Sequence, residues 1–333
     1  MKNITVIGFG SWGIALACLL AKNGHNITIW EDNTALADML DKERENKSFL
    51  PGVIIPDDVI ITHDAVTAAR NAEILLFVVA SRAIEKATTL LAPFFKPGQI
   101  LVSASKGLIE SSQKRITEFL EEAAPMCSVA SISGPSHAEE VGKQMPTAVV
   151  AASRCEKTAA AVQDAFSCDN FRVYTTTDVV GCELGGAIKN VIALAAGIVD
   201  GLGFGDNTKA ALMTRGSAEI ARLGVAMGAD EHTFAGLSGI GDLIVTCTSV
   251  HSRNWRAGNL LAAGKTCDEV ITEVNMVVEG IHTAKAALAL AQKYDVNMPI
   301  VEEINKILFE NKNPRDAVVD LMLRDKKDEH TMV

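Results

Sequence analysis

Residues Ile4-Thr5-Val6-Ile7-Gly8-Phe9-Gly10-Ser11-Trp12-Gly13-Ile14 decide how this chain folds. A β-branched apolar run ends on glycine, and a helical pattern starts at Ile14 and runs to Lys22. Gly8, Gly10 and Gly13 form G-x-G-x-x-G between them. Gly8 permits a tight turn, Gly10 lets backbone approach a pyrophosphate, and Gly13 lets the helix pack close to the strand. The helix start then offers free N–H groups and a positive dipole end to an anion, with Ser11 and Trp12 placed at its mouth. Strand, glycine turn and helix in this order are the fingerprint of a dinucleotide-binding fold.

A second apolar run, Ile27-Thr28-Ile29-Trp30, ends on Glu31 and Asp32. They lie about 20 residues past the glycines, where a carboxylate accepts from the adenosine ribose hydroxyls. A carboxylate there also repels a 2′-phosphate, and no Arg or Lys follows until Lys42. The reading favours NAD, with NADP left open. The plainer role for Glu31 and Asp32 is to cap the next helix.

Beyond the fingerprint, strand-like runs fall at 3–7, 26–30, 74–79, 100–103, 128–132, 148–152 and 171–174. Helical patterns at 14–22, 34–43, 82–91 and 114–122 separate several of them. Alternation at this spacing predicts an α/β fold with a doubly wound, mostly parallel sheet. Residues 41–61 contain Pro51, Gly52 and Pro56 and read as a loop-rich excursion. After about residue 178 strand-like runs become rare, and 181–199, 207–227, 267–274, 282–293 and 300–308 read as helices. The chain therefore divides into a Rossmann domain at 1–177 and an all-helical domain at 178–333.

Composition narrows the function. Apolar residues make up 48% and charged residues 22%, the balance of a globular enzyme. A formal charge of −10 repels nucleic acid and anionic membranes on average, so neither is an expected partner. A phosphorylated small molecule would have to be held by a few local cations. No apolar run approaches the roughly 20 residues of a membrane helix, and the N-terminus leads straight into a strand with no leader pattern. The seven cysteines are odd in number and form no C-x-x-C pair. They read as reduced thiols in a cytoplasm, with neither disulfides nor a metal site. Apolar helices in the second domain suit a homodimer interface or a domain core equally.

Several polar segments exceed what a core needs: Ser105-Lys106-Gly107, Ser133-Gly134-Pro135-Ser136-His137-Ala138, Gly185-Gly186-Ala187-Ile188-Lys189-Asn190-Val191, Gly239-Ile240-Gly241-Asp242-Leu243, Ser252-Arg253-Asn254 and Val277-Val278-Glu279-Gly280. Lys189 is the only cation between Tyr174 and Lys209, inside an apolar helical stretch. Desolvation there lowers a lysine pKa towards neutrality and makes it a usable acid/base, whereas a surface helix would leave an ordinary lysine. Lys106 follows a strand end, where open α/β sheets bind ligands, though turns also favour such a residue. Asp242 suits a helix cap as well as a site. Arg253 suits bidentate recognition of a phosphate.

At these residues, in this order, the chain resembles bacterial NAD(P)-dependent glycerol-3-phosphate dehydrogenase from its first strand almost to its C-terminus. The resemblance implies an oxidoreductase that interconverts sn-glycerol 3-phosphate and dihydroxyacetone phosphate, in a cleft between a Rossmann and a helical domain. It implies a role in glycerophospholipid metabolism, supplying the backbone for phospholipid biosynthesis. It makes Lys189 the acid/base, sets Lys106 against cofactor and substrate, and puts Asp242 near the substrate to orient Lys189. Gly134, Ser136, Ser252, Arg253 and Asn254 become substrate contacts, and Ala138, Arg253, Val277 and Glu279 cofactor contacts. The chain departs from the family at Phe9, at His137 and at Glu31-Asp32, where NADP-using members often carry His or Arg. Two other readings stay open: a different two-domain dehydrogenase of the 3-hydroxyacid type, and an NAD-sensing protein without chemistry.

Overall fold

The computed structural model describes residues 1–326 and residue 328, which divide into two compact units. Met1–Ser105 with Ile116–Val179 forms one, and Lys106–Arg115 with the chain from Val180 forms the other.

The first unit alternates strand and helix in chain order: β1 (Asn3–Ile7), α1 (Ser11–Lys22), β2 (Asn26–Trp30), α2 (Thr34–Glu43), β3 (Ile60–Thr62), α3 (Ala65–Arg70), β4 (Ile74–Phe77), α4 (Ile84–Leu91), β5 (Ile100–Ser103), α5 (Ile116–Ala123), β6 (Ser128–Ser133), α6 (Ala138–Gly142), β7 (Thr147–Ala152), α7 (Glu156–Phe166) and β8 (Phe171–Thr176). The eight strands form one sheet in the order β3-β2-β1-β4-β5-β6-β7-β8. Every neighbouring pair is parallel except β6 and β7. Strands β2 and β3 lie on one side of β1 and β4 to β8 on the other, so the chain changes direction at β1, the switch point where such sheets bind ligands. Central strands such as β4 are buried throughout, which is why they read as unbroken apolar runs.

Two elements depart from the sequence reading. The 41–61 excursion ends in a strand, since Ile60 and Ile61 begin β3. With Ile60 exposed at the sheet edge, this short strand lacks the continuous apolar signal of its neighbours. The same excursion buries Leu50 and Ile55 and ties Arg44 Nη1 to the Val59 carbonyl at 2.7 Å. The second departure is Lys106–Arg115, which the sequence division at 177 left with the sheet. It joins the helical unit because Leu108 is buried in that unit's core and Arg115 forms a buried 2.8 Å ion pair with Glu183.

The second unit continues with α8 (Val179–Gly201), α9 (Asp206–Ala226), α10 (Asp242–Thr248), α11 (Arg253–Ala262), α12 (Cys267–Val274), α13 (Glu279–Lys293), α14 (Pro299–Phe309) and α15 (Pro314–Met322). Its core gathers on α8, from Leu184 to Ile198. Helix α11 lies close against α8: a Cβ on Gly258 would come within 2.0 Å of the Leu194 carbonyl oxygen. Among the described residues α8 is the one helix long and apolar enough to cross a membrane by length and composition, and its most apolar window is entirely buried. The sequence reads most of this helix, at 181–199, although Glu183, Lys189 and Asn190 interrupt its apolar letters. All three are buried.

Candidate active site

Lys189 sits midway along α8 and is 4% exposed. A buried ammonium requires partners, and α10 supplies them. Asp242 is the first residue of α10 and Thr246 lies one turn further, so both face the same way. Lys189 Nζ donates to Asp242 Oδ1 and to Thr246 Oγ1, the latter at 2.7 Å. The Thr246 hydroxyl donates in turn to the Asp242 carbonyl at 2.6 Å, which fixes its lone pairs towards the lysine. The other carboxylate oxygen, Asp242 Oδ2, pairs with Lys106 Nζ at 2.8 Å. One carboxylate thus bridges two ammonium groups.

The electrostatics follow from this arrangement. Burial pushes the Lys189 pKa down from 10.5 to about 7; Asp242 resists the fall, and the Lys106 charge adds to it. Near neutral pH such an amine is divided between its acid and base forms. Cys247, buried alongside, is pushed up to about 12 by burial and stays a thiol. A depressed or raised pKa is not by itself a functional mark. Glu219 is pushed up to about 7 by burial, yet its carboxylate accepts from the Ile300 and Val301 N–H groups and caps α14.

A chain of amides holds the cluster in register. Asn190 Nδ2 donates to the Lys106 carbonyl at 3.2 Å, and Asn190 Oδ1 accepts from Asn254 Nδ2 at 2.9 Å. Asn254 Oδ1 accepts from the Gly280 N–H at 2.9 Å. The Lys106 segment, α8, α11 and α13 are therefore joined through two side chains. Sequence reasoning assigned no role to Asn190 or Thr246. Thr246 carried a usable signal, since it stands four residues after Asp242; Asn190 carried only its adjacency to Lys189.

Within the helical unit the structure brings together Lys106, Lys189 and Asp242, with Asn254 one amide away. Arg253 opens α11, half-buried, with Ser252 as its cap: the Ser252 hydroxyl oxygen accepts from the Trp255 N–H at 3.2 Å. Ser252-Arg253-Asn254 is thus a helix start. Glu279 opens α13, next to the Gly280 that holds Asn254, and Val277 lies two residues earlier.

Within the sheet unit, the 8–13 turn lies at the end of β1. Gly8 has φ 110°, and a Cβ there would come within 2.9 Å of the Val78 carbonyl oxygen. A Cβ on Gly13 would come within 2.3 Å of the Gly8 carbonyl oxygen, whereas one on Gly10 would meet nothing within 4 Å. Close packing at Gly8 and Gly13 and an open face at Gly10 make a cradle for a pyrophosphate. No side chain caps α1 at Gly10, and the buried Trp12 indole N–H lacks a hydrogen-bond partner. These residues fit a dinucleotide. Gly134, with φ 140°, Ser136 and the buried Ala138 follow the end of β6, with the Ser136 hydroxyl donating to the Gly134 carbonyl at 2.9 Å.

At the end of β2 the structure adds a cation that the sequence reading missed: Asp32 pairs with Lys86 of α4. Along the chain the first Arg or Lys after Asp32 is Lys42, whereas Lys86 is near only in space. Glu31 accepts from the Asn33 N–H at 3.0 Å, and burial pushes its carboxyl up to about 7.

Two family models cover almost the whole chain. The N-terminal region of NAD-dependent glycerol-3-phosphate dehydrogenase matches residues 3–159, and the C-terminal region matches residues 178–319. The chain belongs to the NAD-dependent glycerol-3-phosphate dehydrogenase family. Among relatives of this family, a protein of Agathobacter rectalis named glycerol-3-phosphate dehydrogenase (NAD(P)+) is 54% identical over 99% of this chain and 98% of its own length. A Bacillus subtilis protein of the same name is 48% identical over 99% and 96%. The crystal structure of glycerol-3-phosphate dehydrogenase from Coxiella burnetii superposes with a TM-score of 0.94 at 34% identity, covering 97% of this chain and 99% of that one.

Proposed function

We propose that Lys189 is the acid/base for an NAD(P)-dependent interconversion of sn-glycerol 3-phosphate and dihydroxyacetone phosphate. The oxidoreductase activity follows from family membership over nearly the full length. The observation that carries the role of Lys189 is its buried ammonium, held by Asp242 and Thr246 and tuned to about 7. The bound nicotinamide supplies the hydride acceptor or donor. In the oxidising direction neutral Lys189 takes the proton from the secondary hydroxyl. In the reducing direction protonated Lys189 returns it to the developing alkoxide, whose charge Lys106 helps to stabilise.

The other site residues act by binding. Arg253 holds the phosphate as a planar guanidinium fork. Asn254 is committed to Asn190 and Gly280 through one N–H and its oxygen, which leaves a second N–H for the phosphate end. Binding energy from this non-reacting end positions the carbon that reacts. Within the sheet unit, dinucleotide contacts fall to the 8–13 turn, Glu31, Asp32 and Ala138. The odd number and scattered spacing of the cysteines in the sequence suit a reducing, cytoplasmic setting.

The test mixes protein, NADH and dihydroxyacetone phosphate and follows the reduced cofactor by absorbance. Turnover is expected. Binding without turnover would favour a sensor, and turnover only with another hydroxyacid would favour a different dehydrogenase. Lys189→Ala should lower kcat by about 10²–10⁴-fold with the circular dichroism spectrum unchanged. Because the base is the neutral amine, oxidation in the wild-type chain should rise with pH through about 7, and reduction should fall over the same range. A near-normal rate in Lys189→Ala would end the assignment.

A further inference from the structure

Asp32 follows β2, and Lys86 lies in the helix after β4. In the sheet these two strands flank β1 on opposite sides. Their ion pair therefore spans the carboxyl edge of β1, from which the 8–13 turn departs. The Lys86 side chain is 71% exposed and Asp32's is 31% exposed, so the ammonium rides on a solvated stem that can turn to a second anion. Glu31 is hydrogen-bonded to Asp32, and burial holds its carboxyl at about 7. At neutral pH the end of β2 is thus far from a double negative charge: one carboxyl is partly protonated and the other is matched by a lysine.

We propose that Lys86 determines nucleotide specificity, its ammonium allowing the end of β2 to accept a 2′-phosphate as well as a free 2′-hydroxyl. The inference rests on reading Glu31 and Asp32 as the ribose end of the dinucleotide site. Two carboxylates without Lys86 would hydrogen-bond the ribose of NAD and repel the phosphate of NADP. With Lys86 present, the ammonium can lie between the Asp32 carboxylate and the phosphate and screen their repulsion while donating to both. Helix α4 delivers this cation from outside the glycine fingerprint, so specificity is set by an element that the fingerprint does not contain.

Titration calorimetry with NADH and NADPH tests this on the wild-type chain, Lys86→Gln and Glu31→Gln, beside kcat/KM for each cofactor. The wild type should bind both. Lys86→Gln should weaken NADPH about tenfold and leave NADH within about twofold, while Glu31→Gln should improve NADPH relative to NADH. Failure of the wild type to bind NADPH overturns the proposal. So does an equal change for both cofactors, or none, in Lys86→Gln. If Glu31→Gln shifts the ratio and Lys86→Gln does not, Lys86 loses its role and the ribose reading stands. If neither shifts it, the ribose reading falls as well.

Discussion

The glycine turn after β1 and the lysine–aspartate cluster around Asp242 handle charge in opposite ways. The turn is one contiguous hexapeptide with no charged side chain, and it meets an anion with backbone N–H groups and a helix dipole. The cluster draws Lys106, Lys189, Asp242 and Thr246 from separated parts of the chain and buries full charges against one another. Backbone recognition depends on local conformation and on the absence of Cβ atoms. Side-chain chemistry depends on burial, which sets how far a pKa moves. A binding surface can therefore be encoded locally, whereas a tuned acid/base needs a folded interior.

Substitutions can break each half of this contrast separately. After Lys189→Ala, the largest effect is expected from Asp242→Asn. It removes the carboxylate that holds Lys189 up, so kcat should fall by about 10²–10³-fold, and the pH midpoint for oxidation should move below about 7. A profile with an unmoved midpoint would show that Asp242 does not set the Lys189 charge. Next is Gly13→Val, where a Cβ would come within 2.3 Å of the Gly8 carbonyl oxygen. Loss of the turn geometry should raise the Kd for NADH by about 100-fold, a loss of roughly 3 kcal/mol. Retained affinity by calorimetry would mean that the turn is not what holds the pyrophosphate. The smallest is Arg253→Ala. Losing a charge-assisted contact worth about 1.5–3 kcal/mol should raise KM for dihydroxyacetone phosphate by roughly 10–100-fold, with a smaller change in kcat. A KM within twofold of wild type would move the phosphate elsewhere.

Legibility followed the same division. Strands β1, β2 and β5 and helices α2 and α12 were readable to the residue, because each is a short pattern of apolar periodicity with a clear end. β3 was hidden in a proline-containing excursion since an exposed edge strand need not be apolar. Helix α11 is missing from the helical patterns of the sequence because Ser252-Arg253-Asn254 carries cap chemistry that only the following turns reveal. Lys189 stood out as a lone cation in an apolar run. Thr246, Asn190 and Lys86 did not, for their partners lie far along the chain: Thr246 of α10 meets Lys189 of α8, Asn190 of α8 meets the Lys106 carbonyl, and Lys86 meets Asp32 across a strand.

By itself the sequence determined the nucleotide turn, the alternation that builds the sheet, the change to an all-helical second half and the identity of the buried lysine. These are properties of neighbouring residues, set by sterics and periodicity. Tertiary structure decided the rest. It moved Lys106–Arg115 into the helical unit, gave Asp242 two ammonium partners, brought the Lys189 pKa to about 7 and put Lys86 beside Asp32. Desolvation and Coulomb attraction act through distance in space, and the linear chain does not contain that distance.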